Sequence, residues 1–266
     1  MKKFNILRIG NFPTTKYNTV GKHAYYANFC KQFKVLQISS KIEGNPIKIP
    51  KNVVLKRVPL LLKPRNRNDN LLKLFCFDIA RLTSVLYFNF VCIFFLIKNK
   101  VDIVHIHSPM YLICVFFAKI FGLRTFITYH GADLKAVKKS LILKLLSKNI
   151  DGVFTLSPSF KKDLRKIHKT KIYEVYNGVD TNIFFDEKRK REKIILMVAS
   201  FKKQKAHTYL INAFEKFSKV NKNYRIIFVG EGPERNKILY QAKKLTLNKK
   251  VLFLNYMNSK KLNKLY

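Results

Sequence analysis

The fold is decided by VDIVHIHSPMYLICVFFAKIFGLRTFITYH, residues 101–130. VDIVHIH and RTFITYH are short β-branched and aromatic runs, and MYLICVFFAKIFG between them has the length and apolar content of a helix. Strand, helix and strand in so few residues form a βαβ unit, which makes the two strands parallel. The alternation continues outward. Upstream lie FNILRIG, FKVLQIS and NVVLKRV; downstream lie GVFTLS and KIYEVY, then KIILMVA, RIIFVG and VLFLN after a charged break. Helical patterns such as HAYYANFCKQF, HTYLINAFEKFSKV and PERNKILYQAKKL separate several of them. The expected fold class is α/β, with mostly parallel, doubly wound sheets.

The break is TNIFFDEKRKREK, 181–193, where charge density peaks between two strand-helix series. The expected organisation is a domain over 1–182, a charged linker over 183–193 and a partial second domain over 194–266. Three strands are few for a complete doubly wound domain, and they leave an open apolar sheet edge.

The chain has 53 Lys and Arg against 15 Asp and Glu, a formal net charge of +38. Such a balance points to anionic partners, whether nucleic acid, acidic lipid or a phosphorylated substrate, and does not choose among them. The excess of lysine and the absence of tryptophan also fit codons drifting toward A and T. The aromatics fall in strand and helix patterns, without a basic-aromatic alternation or zinc-finger spacing, so a dedicated nucleic-acid reader is not expected. Cys30, Cys76, Cys92 and Cys114 sit in apolar surroundings without CxxC or metal spacing, and read as reduced core residues. The N-terminal MKKFNILRIGNF reads as a first strand, not as a signal peptide. VLYFNFVCIFFLI, 85–97, is shorter than the roughly 20 residues needed to span a bilayer. Its apolar residues run all round, which favours a helix buried against a sheet over one lying in a membrane plane.

In open α/β sheets ligands bind beyond the carboxyl ends of the strands. The residues there are Asn11 and the loop to Gly21, His107 and Ser108, His130 and Gly131, Asn177 and Gly178, Ser200 with its lysines, and the run Gly230-Glu231-Gly232-Pro233. VASFKKQKAH, 198–207, has two readings: a phosphate cradle of lysines ahead of a helix N-terminus at His207, or a solvated face of Lys202, Lys203 and Lys205. Gly230 and Gly232 allow a tight turn where backbone passes close to something, and Pro233 fits the first residue of the next helix. His130 is a ligand-facing residue or a solvated strand end. His105 and His107 share one strand face without a third metal ligand, and Asp133 fits a helix cap better than a base. There is no Walker A pattern, GxSxG elbow or Ser/His/Asp set.

The looped Gly21, VDIVHIHSP, ITYHGADL, VYNGVDTNIF, MVASFKKQKAHTYLINAF and FVGEGPERNKI stand in an order and spacing that resembles bacterial family 4 glycosyltransferases, from Asn11 to Tyr266. The resemblance implies a GT-B architecture, two Rossmann-like domains over a cleft, and transfer from a nucleotide-sugar, a UDP- or GDP-sugar, with retention of configuration and no metal ion or other cofactor. By the same resemblance Lys205 contacts the donor diphosphate, with Gly21 near the phosphates and His130 near the donor sugar as the catalytic candidate. Ser200 replaces the arginine that usually accompanies the lysine, and Lys202 or Lys203 is the candidate substitute. Gly230, Gly232, Tyr256 and Met257 fall where the donor base or cleft is lined, and Asn177 where the domains face each other. The implied acceptor is a lipid-linked or cell-surface saccharide of the lipopolysaccharide, capsule or exopolysaccharide kind, and the implied location is the inner face of the cytoplasmic membrane, held by anionic lipid. Family members carry an E-x7-E pair further on, and the alternative expectation is a truncated, inactive remnant without it.

Overall fold

The computed structural model describes residues 3–14, 32–41, 44–46, 48–60, 70–188 and 190–266. Gly21, Cys30 and most of HAYYANFCKQF lie outside the described residues. The rest divides into two compact units, Met1–Gly178 and Val179–Tyr266.

The first unit contains β1 (Phe4–Ile9), β2 (Phe33–Ser40), β3 (Val53–Val58), β4 (Ile103–Ile106), β5 (Arg124–Tyr129), β6 (Gly152–Thr155) and β7 (Lys171–Glu174) in one sheet. Its order is β3-β2-β1-β4-β5-β6-β7, and all its pairings are parallel. Ile9 pairs with Ile38 on one side and Ile106 on the other, so the order reverses across β1 and β4. That reversal marks the crevice where doubly wound folds bind ligands. Leu7, Ile9, Val104, Ile106, Ile127 and Val153 are buried at the centre of this core.

Among the described residues the helices of the unit are α1 (Leu71–Lys98), α2 (Leu112–Ile120), α3 (Ala132–Lys139), α4 (Leu141–Ser147) and α5 (Lys161–Arg165). Asn70 sets the start of α1 by accepting the Lys73 amide at 2.9 Å, and Ser140 starts α4 by accepting that of Leu143. The apolar run at 85–97 is thus the second half of a helix of 28 residues. Only that half is covered: Phe88, Asn89, Cys92, Ile93 and Leu96 are buried, and no described residue of 71–87 is. A fully buried helix is therefore not what the chain builds. Cys92 and Cys114 are core thiols whose pKa burial raises, that of Cys114 to about 12, whereas Cys76 lies exposed on the uncovered half.

The second unit contains β8 (Ile194–Val198), β9 (Arg225–Val229) and β10 (Val251–Leu254), a parallel sheet of order β10-β9-β8. Its helices are α6 (His207–Val220), α7 (Arg235–Lys244) and α8 (Ser259–Asn263). Phe201, Ile211, Phe214, Ile226, Phe228 and Ile238 form its core. Helix α7 begins at Arg235, two residues later than the proline suggests, because Pro233 and Glu234 form a turn. The unit division falls after Gly178, and the charged segment expected as a linker bonds within the second unit. Asn263 of α8 accepts the Phe185 amide at 3.2 Å and donates to Glu187 at 3.1 Å, and the ring of Phe184 meets that of Tyr266.

Candidate functional site

In the first unit the parallel strands carry Asn11, His107 and His130 to one edge of the sheet. The chain leaving β1 is pinned to β2: Gln37 donates to the Gly10 carbonyl at 2.8 Å, Ser39 Oγ accepts the Phe12 amide at 2.9 Å, and Ser40 Oγ donates to Asn11 Oδ1 at 2.7 Å. Arg8, on β1 and opposite His105 in register, is buried. Its Nε donates to His107 Nε2 at 3.0 Å, and His107 Nδ1 lies 3.3 Å from His130 Nε2, with the two rings stacked.

This chain fixes protons. An arginine Nε–H only donates. His107, neutral beside that cation, therefore carries its proton on Nδ1 and gives it to His130 Nε2. His130 then holds its own proton on Nδ1. Burial lowers the pKa of His130, opposed by Asp133 and assisted by Arg8, so the neutral ring is favoured; burial likewise brings Arg8 down to about 10. Long-range proton–nitrogen spectra are expected to show both imidazoles as Nδ1–H tautomers, and Arg8→Met is expected to release His107 to the Nε2–H form. An Nε2–H His130 in the native protein would contradict the relay. Asp133 stands in the first turn of α3 but does not cap it: the N-cap is Gly131, without a side-chain cap bond, and Asp133 Oδ2 accepts the His130 amide before it at 3.0 Å. His105 turns to Thr128 at 2.8 Å. Among the described residues no group of three His, Cys, Asp or Glu is placed to hold a metal ion.

One buried pair was invisible to sequence reasoning. Tyr129 Oη and His168 Nε2 lie 2.9 Å apart across 39 positions, with no local pattern to announce it. Burial lowers the His168 pKa to about 4, against the opposing pull of the Ser147 backbone. An unfolded histidine titrates near 6.5. Below that pH the unfolded chain binds the extra proton, so this contribution is complete above pH 6.5 and declines as pH falls toward 4. It amounts to about 3 kcal/mol at most. Denaturant unfolding of His168→Gln between pH 4 and 7 is expected to show a flatter pH dependence than wild type.

In the second unit Ser200, Gly230, Gly232 and Tyr256 meet at the carboxyl edge of β8, β9 and β10. The Phe201 amide donates to the Glu231 carbonyl at 2.9 Å, and the Glu234 amide donates to the Phe201 carbonyl at 3.0 Å. The Tyr256 amide approaches Glu231 Oε1 at 3.4 Å. Gly230 and Gly232 have φ of +145° and +152°; a Cβ on the first would stand 2.3 Å from the Ala199 carbonyl oxygen, and on the second 2.6 Å from that of Phe201. What the two glycines approach is the turn that leads into α6. Met257 follows Tyr256, half-buried, and Tyr256 is exposed.

That turn is VASFKKQKAH. Phe201 is buried, Lys203–Lys205 forms a 3-10 turn, and Ala206 adopts a left-handed conformation at φ +59° before α6 begins at His207. No side chain caps α6. A hollow of about 190 Å³ opens beside this helix start, lined by Lys202, Lys203, Ala206, His207 and Thr208 among others. Lys205, exposed like Lys202 and Lys203, is close enough to lower the pKa of His207, where burial is the larger cause. His207 stacks on Phe201 at 4.3 Å, and neither of its ring nitrogens has a partner among the described residues. Ser200 is exposed. The nearby arginine that the sequence did not single out is Arg235, whose guanidinium lies 5.9 Å from the Phe253 ring and whose buried Nε has no described partner. Asn177 is exposed beyond β7, at the end of the first unit.

The family model for Glycosyltransferase Family 4 matches residues 50–183, half of the chain. The chain belongs to glycosyltransferase family 4. A second family model, Glycosyl transferases group 1, matches residues 179–266 of this family 4 chain. N-acetyl-alpha-D-glucosaminyl L-malate synthase of Bacillus anthracis is 28% identical over 177 residues, 59% of this chain and 46% of the relative. The family 4 chain thus spans under half the length of the curated relatives it matches, 46% and 33% of the two. Among solved structures, sucrose-phosphate synthase of Thermosynechococcus elongatus superposes with a TM-score of 0.65 at 16% identity, covering 98% of this chain and 72% of its own. The Anabaena HepE protein, in complex with UDP and glucose, gives a TM-score of 0.61 at 14% identity, with 96% and 70% covered. The fold class is GT-B.

Proposed function

We propose that this protein is a retaining glycosyltransferase that takes a sugar from a UDP- or GDP-sugar and places it on a lipid-linked or cell-surface saccharide. The observation that carries the reading is the start of α6, an uncapped helix of 14 residues with Lys202, Lys203 and Lys205 in the turn before it. Free N–H groups, the positive end of the helix dipole and the lysine charges together suit a diphosphate. HepE, with UDP and glucose bound, shares the fold and supports a nucleotide-sugar as donor.

In this reading the bond between the sugar C1 and the diphosphate oxygen breaks, and its electron pair stays on that oxygen. Lys205 and the α6 amides stabilise the charge as it forms, with Lys202 or Lys203 supplying what Ser200 lacks. The acceptor hydroxyl forms the new bond to C1 on the face the diphosphate leaves, so its proton passes to the departing phosphate. His130, a neutral Nδ1–H donor, is the candidate beside the donor sugar, with Gly21 as a further phosphate contact and Tyr256 and Met257 as contacts to the donor base. No metal or cofactor enters this scheme. The partners are the nucleotide-sugar, a glycolipid or saccharide acceptor and the anionic inner surface of the cytoplasmic membrane, with no dedicated nucleic acid.

Thermal-shift titration with UDP, GDP and their sugars tests the donor. Stabilisation by one nucleotide family at submillimolar concentration is expected. No stabilisation by any of them, alongside salt-sensitive RNA binding, would replace this reading with general polyanion binding.

A further inference from the structure

The uncovered half of α1 is a feature that donor chemistry leaves unexplained. Phe75, Ile79, Leu82, Leu86, Phe90 and Phe94 recur every three or four residues, so they form one stripe, which Leu71 and Ile97 extend to both ends of the helix. Phe75 is 63% exposed, Phe90 64% and Leu71 85%. At 28 residues the helix is about 42 Å long. Helix α2 packs between α1 and α4 and adds exposed Phe116 and Ile120, and α4 adds exposed Leu141, Ile142 and Leu145. A helix with no buried residue among its first 17, where Leu74, Phe77 and Val85 are only half-buried, and with an apolar stripe on its exposed side, requires a cover.

The charges choose the cover. On the helical wheel Lys73 and Lys98 lie beyond one edge of the stripe and Asp78 borders the other, and the Lys98 ammonium rests 5.6 Å above the Phe94 ring. Asp78 is the sole acid in the α1 sequence and α2 and α4 have none; Lys144 and Lys148 stand by the apolar residues of α4, while Lys119 of α2 is paired with Asp151 at 2.7 Å. A second copy of a chain carrying +38 would bring like charges together, whereas acidic headgroups complement them. Phe88, Cys92 and Leu96 are fixed in the protein core, so α1 cannot leave to span a bilayer. We infer that the α1 stripe, continued over α2 and α4, seats the first unit on an anionic bilayer with α1 lying in the interfacial plane. This deepens the membrane location proposed above and rests on it.

The chain contains no tryptophan, so Phe90→Trp places a single reporter on the stripe. With phosphatidylcholine vesicles containing phosphatidylglycerol, its emission is expected to shift to the blue and the protein to sediment with the lipid. Part of that binding should survive high salt, because buried apolar area is not screened. Adding Phe75→Ser and Leu82→Ser, both at exposed positions, is expected to weaken sedimentation at least tenfold while circular dichroism and the thermal transition stay unchanged. Binding by the serine variant equal to wild type would overturn the role of α1 and leave the membrane location standing. Absence of binding to any vesicle would overturn both, while nucleotide stabilisation would still decide the donor reading. A blue shift that needs no lipid and follows dimerisation would assign the stripe to a second copy and overturn the inference.

Discussion

Gly230→Ala is expected to unfold the second unit or bring it close to unfolding. At φ +145° the backbone lies in a region essentially reserved for glycine, which costs an alanine about 1–3 kcal/mol. The Cβ would also stand 2.3 Å from the Ala199 carbonyl oxygen, a backbone atom already fixed by β8. Overpacking of that kind costs about 1–3 kcal/mol more. A unit of about 90 residues has roughly 4–13 kcal/mol of stability in all, so the loss is a large share of it. Two comparisons isolate the cause. Gly122→Ala meets nothing within 4 Å and has only its φ of +70° against it, so about 1 kcal/mol is expected. Gly178→Ala also meets nothing and has no positive φ, so no measurable change is expected. Urea unfolding followed by protease susceptibility should rank the three in that order.

The second large effect concerns binding. Lys205→Ala is expected to abolish nucleotide-induced stabilisation and to weaken affinity by about 10- to 100-fold, the loss of one charge-assisted hydrogen bond to phosphate. Lys202→Ala is expected to reduce the stabilisation only in part. Equal small effects from both would mean that the three lysines form a solvated face, as expected for surface charges in so basic a chain. The hollow beside α6 sharpens the comparison, because Lys202 and Lys203 line it and Lys205 does not. A larger effect from Lys202 would move the diphosphate into that hollow.

The ten strands among the described residues were legible because each concentrates Ile, Val or Phe in four to eight residues between polar breaks, a signal that does not depend on tertiary context. The start of α6 at His207 was legible for a similar reason, since the lysine turn interrupts the apolar pattern. Helix α1 was not. Its first half carries Lys73, Asp78 and Arg81 and resembles a helix without a core, and sequence cannot tell an apolar residue that is covered from one that is not. Gly230 and Gly232 announced a close approach without naming what they approach, because Ala199 and Phe201 come opposite them only when β8 and β9 pair. The Arg8–His107–His130 relay likewise depends on β1, β4 and β5 lying side by side, an order that three separate apolar runs do not specify.

The central claim is that the turn before α6 receives a diphosphate. Amide spectra of the isotopically labelled protein during titration with UDP test it most directly. The account predicts that the amides of Ser200 to Tyr209 move first and saturate together with Gly230 and Gly232, and that Lys205→Ala removes those shifts. Shifts scattered over lysines of both units without saturation, or none at all, would contradict it.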